Sequence, residues 1–215
     1  MTNIEKLRNL AENGVITHSS RFHADDLLSA ALLKIAGVIS DISQIQRVGR
    51  VPENFAGLAF DIGGGDFDHH QPEARVRLNG DKYATFGLLW DAIGAEYISD
   101  KYKVDMQTAK SMSEKFDADF VTPMDLSDNF GTRKYPNTLS YLISSRNNAK
   151  FTAQESNDMF IAIANDLCAY LFLLPAAIVL IVFFFVPFFQ TIYLSFFDYS
   201  EDIYSANFVG LENYL

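Results

Sequence analysis

Every histidine of this 215-residue chain falls in one of two short stretches crowded with carboxylates. "THSSRFHADD" supplies His18, His23, Asp25 and Asp26, and "DFDHHQ" supplies Asp66, Asp68, His69 and His70. Between them "FDIGGG" adds Asp61 at the end of an apolar run, and further on "TPMDLSDNFG" adds Asp125 and Asp128. Carboxylate oxygens suit the hard ions Mg²⁺ and Mn²⁺, and Mn²⁺ also accepts imidazole. Two such cations close together need a bridging carboxylate and terminal ligands, and can then activate a water and clamp a phosphoryl oxygen. His18, His23, Asp25, Asp61, Asp68, His69 and His70, with Asp125 and Asp128 downstream, are the parts for such a centre. Other acids in these stretches have plainer roles. Asp26 suits the first turn of a helix, where the macrodipole favours negative charge, and Asp66 and Asp81, each beside a glycine, suit turns. Asp128, just before Asn129, could equally cap or turn the chain.

The elements that must position these groups follow from periodicity. Asn3 can cap a helix through about Ala11, with Ile4, Leu7 and Leu10 on one face and Gly14 ending it. "GVITHSS" reads as a short buried strand that delivers His18 at its carboxyl end. From Ala24 to Ala36 the apolar residues Leu27, Leu28, Ala31, Leu32 and Ile35 recur at helical spacing, and Gly37 is a stop. "QIQRV" and "GLAFDIG" read as further strands, the second ending in Asp61. Helices are predicted over 84–100, 105–120, 136–145 and 152–166. Strands alternating with helices predict an α/β fold, a mostly parallel sheet flanked by helices. Ligand crevices in such sheets lie beyond the carboxyl ends of the strands, where both His18 and Asp61 fall.

Composition narrows the function classes. The formal net charge of -10 argues against a broad, sequence-independent grip on nucleic acid, which depends on cations neutralising phosphates. Cys168 is the sole cysteine, so no intramolecular disulfide is expected, and "MTNIEKLRNL" has no apolar core of a signal peptide. The N-terminal domain is therefore expected to be cytoplasmic.

In order along the chain, "THSSRFHADDLLSAALL", "DIGGGDFDHHQ", "YATFGLLWDAIG" and "MDLSDNFG" resemble the melanocyte-proliferating-gene family of metal-dependent hydrolases and exonucleases, a branch of the DHH phosphoesterase superfamily. The similarity runs from about residue 13 to about residue 165. It implies a DHH-like α/β domain over 1–166 with a dimetal centre, Mn²⁺ or else Mg²⁺, that hydrolyses phosphoesters such as an oligonucleotide or nucleotide. Carried over by motif, His18, His23 and Asp61 hold one ion, while Asp25, Asp61, His69 and either Asp125 or Asp128 hold the other, with Asp61 as the bridge. Asp68 orients the histidine pair, and His70 faces the substrate phosphate. The family's second half, which contributes to the substrate cleft, has no counterpart in this sequence.

The last part of the chain is of another character. All Lys and Arg lie at or before Lys150, and no charged residue occurs from Leu167 to Phe197. That run exceeds the roughly 20 residues needed to cross a hydrocarbon core. It predicts a single transmembrane helix near 170–192 within a segment 167–215, and hence a membrane-anchored chain. "AYLFLLPAAIVLIVFFFVPFFQTIYLSFFDY" followed by "NFVGLENYL" resembles the first membrane span of sugar ABC transporter permeases. That resemblance implies, as the alternative function, a permease fragment fused to an unrelated domain, with a transporter ATPase or a solute-binding protein as partner. The absence of a linker between the two segments also fits a chimeric reading frame.

Overall fold

The computed structural model describes the backbone of residues 1–198 and 207–215, and the side chains of those residues apart from 171–179. The chain divides into two compact units, Met1–Cys168 and Ala169–Leu215.

In the first unit Thr2 caps helix α1 (Asn3–Ala11) through a reciprocal bond with Glu5. The chain then enters β1 (Val15–His18), whose Val15, Ile16 and Thr17 are all buried. Burial on both faces fits a central strand of a parallel sheet. β1 is flanked by β2 (Ile45–Val48) and β3 (Leu58–Ala59), in the order β2-β1-β3, and both pairings are parallel. Between β1 and β2 runs α2 (Ala24–Ile35), in which every residue from Ala24 to Leu33 is buried. A helix apolar on all sides belongs inside a core, and each fully buried leucine here contributes about 1.5–3 kcal/mol.

Helices make up most of the rest: α3 (Thr85–Tyr102), α4 (Met106–Phe116), α5 (Thr122–Phe130), α6 (Thr138–Ser144) and α7 (Ala153–Leu180). The unit is α/β, mostly helical around a small parallel sheet. The strand expected over "GLAFDIG" is paired only at Leu58 and Ala59. A π-helical stretch, Asp117–Val121, joins α4 to α5. The first turn of α3 is pressed against α5: a Cβ on Gly87 would lie 1.9 Å from Asp125 Oδ2, so only glycine fits there. Trp90 closes α3 onto α4 by donating from Nε1 to the carbonyl of Ser113 at 3.1 Å.

The second unit contains a π-helical turn, Ile181–Phe185, followed by α8 (Val186–Leu194) and a short antiparallel pair, β4 (Phe197–Asp198) with β5 (Asn207–Phe208). Asn213 ties the end of the chain to this pair, donating from Nδ2 to the carbonyls of Ser195 and Phe197.

The membrane helix expected near 170–192 is corrected by this division. Among the described residues no helix is long and apolar enough to cross a membrane. The helical backbone continues from α7 through the π turn into α8, with Leu180, Phe185 and Val186 all in the right-handed helical region. The described side chains of α7 include Glu155, Asp158 and Asp166, and Phe160 and Ala164 sit in the core of the first unit. The part of the expected span at 171–179 lies outside the described side chains. Membrane anchoring of the chain is accordingly not supported.

Candidate metal centre

Five separate segments bring their side chains to one place beyond the carboxyl ends of β1 and β3. β1 ends in His18, whose Nδ1 is paired with the Ser20 hydroxyl at 2.7 Å, leaving Nε2 directed at carboxylates. That nitrogen lies 2.9 Å from Asp61 Oδ2 and 3.3 Å from Asp26 Oδ2. His23 precedes α2, and its backbone N–H donates to Asp26 Oδ1 at 2.9 Å, so Asp26 lies in the first turn and also caps the helix. The same carboxylate turns its other oxygen towards His18. Asp25, one residue earlier, is also fully buried and points towards His69, whose Nε2 is 3.6 Å from Asp25 Oδ2.

Asp61 follows β3 in a left-handed backbone conformation, with φ of 56°. The loop after it closes on itself: the Asp61 N–H donates to the carbonyl of Phe67 at 2.8 Å, and the Gly64 N–H donates to Asp68 Oδ2 at 2.6 Å. This closure returns His69 and His70 to Asp61. His69 Nε2 is 3.3 Å from Asp61 Oδ1, on the opposite side of the carboxylate from His18. Thr85, at the start of α3, donates to that Oδ1 at 3.0 Å and fixes the carboxylate's rotation.

Asp68 orients one histidine of the pair rather than both. Its Oδ1 accepts from the backbone N–H of His70 at 3.0 Å and faces His70 Nδ1 at 2.8 Å. His69 is instead held by Asn129, whose Oδ1 lies 3.3 Å from its Nδ1, while Asn129 Nδ2 donates to the carbonyls of Tyr83 and Asp125. The His70 ring is mostly exposed, at 63%, and its Nε2 is left for a ligand.

Helix α5 separates the two aspartates between which the sequence leaves the choice open. Asp128 Oδ2 is 3.4 Å from His69 Nε2, and its Oδ1 is 3.6 Å from His23 Nδ1. Asp125 is fully buried elsewhere: it accepts from Arg77 Nη2 at 2.7 Å and from the Gly87 N–H at 3.1 Å. Arg77 also meets Asp117 with two nitrogens, at 2.8 and 2.7 Å, and lies over the Tyr83 ring. Asp125 is therefore part of a buried ion-pair network.

Three sets of donors lie close enough to share an ion: His18 with Asp26 and Asp61, His23 with Asp25 and Asp128, and Asp61 with His69 and His70. The grouping differs from the one the resemblance implies: His69 stands with Asp61 and His70, the residue expected to face the substrate, and two other residues change sets. His23 joins Asp25 and Asp128, while Asp26 takes its place beside His18. The electrostatics match a site of concentrated negative charge. Burial raises the Asp25 carboxyl well above its usual range, and the neighbouring Asp61, Asp128 and Asp26 raise it further. Asp26 is raised by burial too, partly offset by His18. For Asp61 burial acts upward, but the close imidazoles of His18 and His69 outweigh it and hold the group below the ordinary carboxylate range. Burial would lower His18, yet Asp26 and Asp61 push it up to about 10.

The donor set fits divalent cations on independent grounds. Both oxygens of Asp25, Oδ2 of Asp26 and Nε2 of His69 are buried without a hydrogen-bond partner; the imidazole–carboxylate approaches of 3.3 to 3.6 Å lack hydrogen-bond alignment. An unsatisfied buried polar atom costs about 1–3 kcal/mol, and more when charged. Four in one cluster need a common partner, and a hard cation is the partner that carboxylate and imidazole share.

The family model MYG1_exonuc, described as Uncharacterised protein family (UPF0160), matches residues 14–165. The chain belongs to this family. Every member of the three donor sets lies inside the matched MYG1_exonuc region. Comparison with curated proteins and with solved structures gives no match. The MYG1_exonuc match ends before the apolar segment, so the permease resemblance of 169–215 and its transporter partners have no support.

Sequence reasoning missed Ser20, Thr85 and Asn129, and read Asp26 only as a first-turn acid favoured by the helix macrodipole. Thr85 and Asn129 sat inside quoted motifs, but a neutral side chain carries no signal of ligation. Their role is to hold ligands, which only the folded contacts reveal.

Proposed function

We propose that this protein is a metal-dependent phosphoester hydrolase acting on nucleic-acid or nucleotide phosphates through a pair of divalent cations, Mn²⁺ or Mg²⁺. The observation that carries the reading is the convergence of buried, unpartnered donor atoms of Asp25, Asp26 and His69 around Asp61, whose two oxygens face His18 and His69. His18, Asp26 and Asp61 would hold one cation; His23, Asp25, Asp128 and His69 would hold the other, with Asp61 serving both. Divalent cations in such a site supply Lewis acidity and offset the negative charge of a phosphoryl group.

The chain's own residues do the rest. Thr85 fixes the rotation of the shared carboxylate, and Ser20 and Asn129 fix the rings of His18 and His69, so the donors need no rearrangement on binding. Asp68 holds His70 at Nδ1 and leaves Nε2 on an exposed ring edge, where a ring N–H can donate to a phosphoryl oxygen. Placing that donor beforehand removes reorganisation from the reaction.

The test is hydrolysis of short oligonucleotides by the full chain with and without Mn²⁺, beside calorimetric titration of the metal. Hydrolysis that requires the ion, with Asp61→Ala and His69→Ala losing both activity and metal binding, is the expected result. Activity that persists in a chelator, or ion binding unchanged in Asp61→Ala, overturns the reading.

A further inference from the structure

A small cleft opens where the metal cluster ends. It has a volume of about 200 Å³ and is lined by His23, Ser127, Asp128, Thr132, Ser140 and Ser144. His23 and Asp128 are common to the cleft and to one donor set of the candidate metal centre, so the two sites are continuous. A complete small-molecule site is typically about 300–1,000 Å³. The cleft therefore has room for one polar group of a larger substrate, and not for a whole nucleotide.

Its walls offer hydroxyls. Ser127 is 3% exposed, and its Oγ is buried without any hydrogen-bond partner. Among the described residues the hydroxyls of Thr132 and Ser144 make no hydrogen bond either, whereas Ser140 Oγ is engaged with Met124 Sδ at 3.6 Å. The only carboxylate in the lining, Asp128, directs its oxygens at His23 and His69. A buried hydroxyl with no acceptor, two more hydroxyls nearer the mouth and space for one group match a phosphate, which presents acceptor oxygens in every direction.

We infer that this cleft binds a second phosphate of the substrate, next to the one held at the metal centre. The inference rests on the hydrolase reading and deepens it: the substrate class is a molecule with two neighbouring phosphates. These belong either to successive nucleotides of a strand or to a directly linked diphosphate.

The experiment is calorimetry on the full chain loaded with Ca²⁺, a hard ion that takes oxygen ligands. The probes are a dinucleotide with a terminal phosphate, the same dinucleotide without it, and pyrophosphate. The terminal phosphate should tighten binding roughly tenfold, the effect of one hydrogen bond to a charged group. That gain should disappear in Ser127→Ala and in Thr132→Val; the latter position is near the surface, which keeps the test independent of any folding defect in the former. Pyrophosphate binding as tightly as the phosphorylated dinucleotide assigns the pair of phosphates to a linked diphosphate, and weaker binding assigns it to a strand. Ca²⁺ binding with no gain from the terminal phosphate, or a gain retained in both variants, overturns this inference alone. Failure of Ca²⁺ and Mn²⁺ to bind overturns the hydrolase reading and this inference together.

Discussion

Two groups of buried aspartates lie in the first unit, and they meet the cost of burial in opposite ways. Around Arg77, Asp117 and Asp125 are paired with a guanidinium through charge-assisted bonds of 2.7 to 2.8 Å, and Asp125 has the Gly87 N–H as well. Around Asp61, the carboxylates of Asp25 and Asp26 make no ion pair with Lys or Arg among the described residues, and three of their oxygens have no hydrogen-bond partner. Helix α5 feeds both groups, Asp125 to the first and Asp128 to the second, three residues apart. A buried acid is thus uninformative by itself. What separates structure from function is whether the chain supplies the counter-charge.

The comparison is sharpest where one ligand serves both sides of the metal cluster. Asp61→Ala should abolish divalent-ion binding in calorimetry, because both oxygens of the shared carboxylate are lost, while Asp125→Asn should leave binding measurable. The next largest effect is on folding. Arg77→Ala strands the buried Asp125 and unpairs the half-buried Asp117, and should lower stability in urea titration by about 3–5 kcal/mol, whether or not a divalent ion is present. The reverse holds for the metal cluster: Mn²⁺ at about a hundred times its Kd should raise the stability of the unaltered protein by about 2.7 kcal/mol, and should fail to do so in Asp61→Ala. Asn129→Ala, which frees the His69 ring, should weaken ion binding by roughly 10–100-fold without abolishing it.

The smallest change, read one pH unit at a time, is in the ion-free protein. Burial opposes protonation of His18, but Asp26 and Asp61 raise its pKa from 6.5 to about 10 in the fold. The stabilisation this brings is full below pH 6.5 and is lost as pH rises towards 10, by at most about 1.4 kcal/mol per unit. Thermal melts in a chelator across that range check it. A stability that rises with pH there would contradict the ion pairing of His18.

Much of this arrangement could be read from residue types. The two histidine stretches, Asp61 and the aspartates after Met124 carry a recognisable donor chemistry, and the structure brings His18, His23, Asp25, Asp61, His69 and Asp128 together. Asp68 and His70 lie beside them as a bonded pair. The choice between Asp125 and Asp128 was not legible, because the partner that removes Asp125 is Arg77, far away in sequence. Asp26 was read as an acid of the first helical turn and no more; a carboxylate has two oxygens, and sequence does not say where either one points. The π-helical join before α5 and the two-residue pairing of β3 escape periodicity for a similar reason, since both depend on tertiary contacts. The apolar run from Leu167 to Phe197 misled in the other direction. Hydropathy records which residues occur and not how the folded chain places them, and among the described residues no helix is long and apolar enough to cross a membrane.

The backbone of Asp61, with φ of 56°, has a wider consequence. A residue with a Cβ holds such a torsion at a cost on the order of 1–3 kcal/mol, which glycine largely escapes. Geometry and chemistry thus ask for different amino acids at one position. The backbone is therefore better served by glycine than by the residue present, and Asp61→Gly should raise the midpoint of a thermal melt in a chelator.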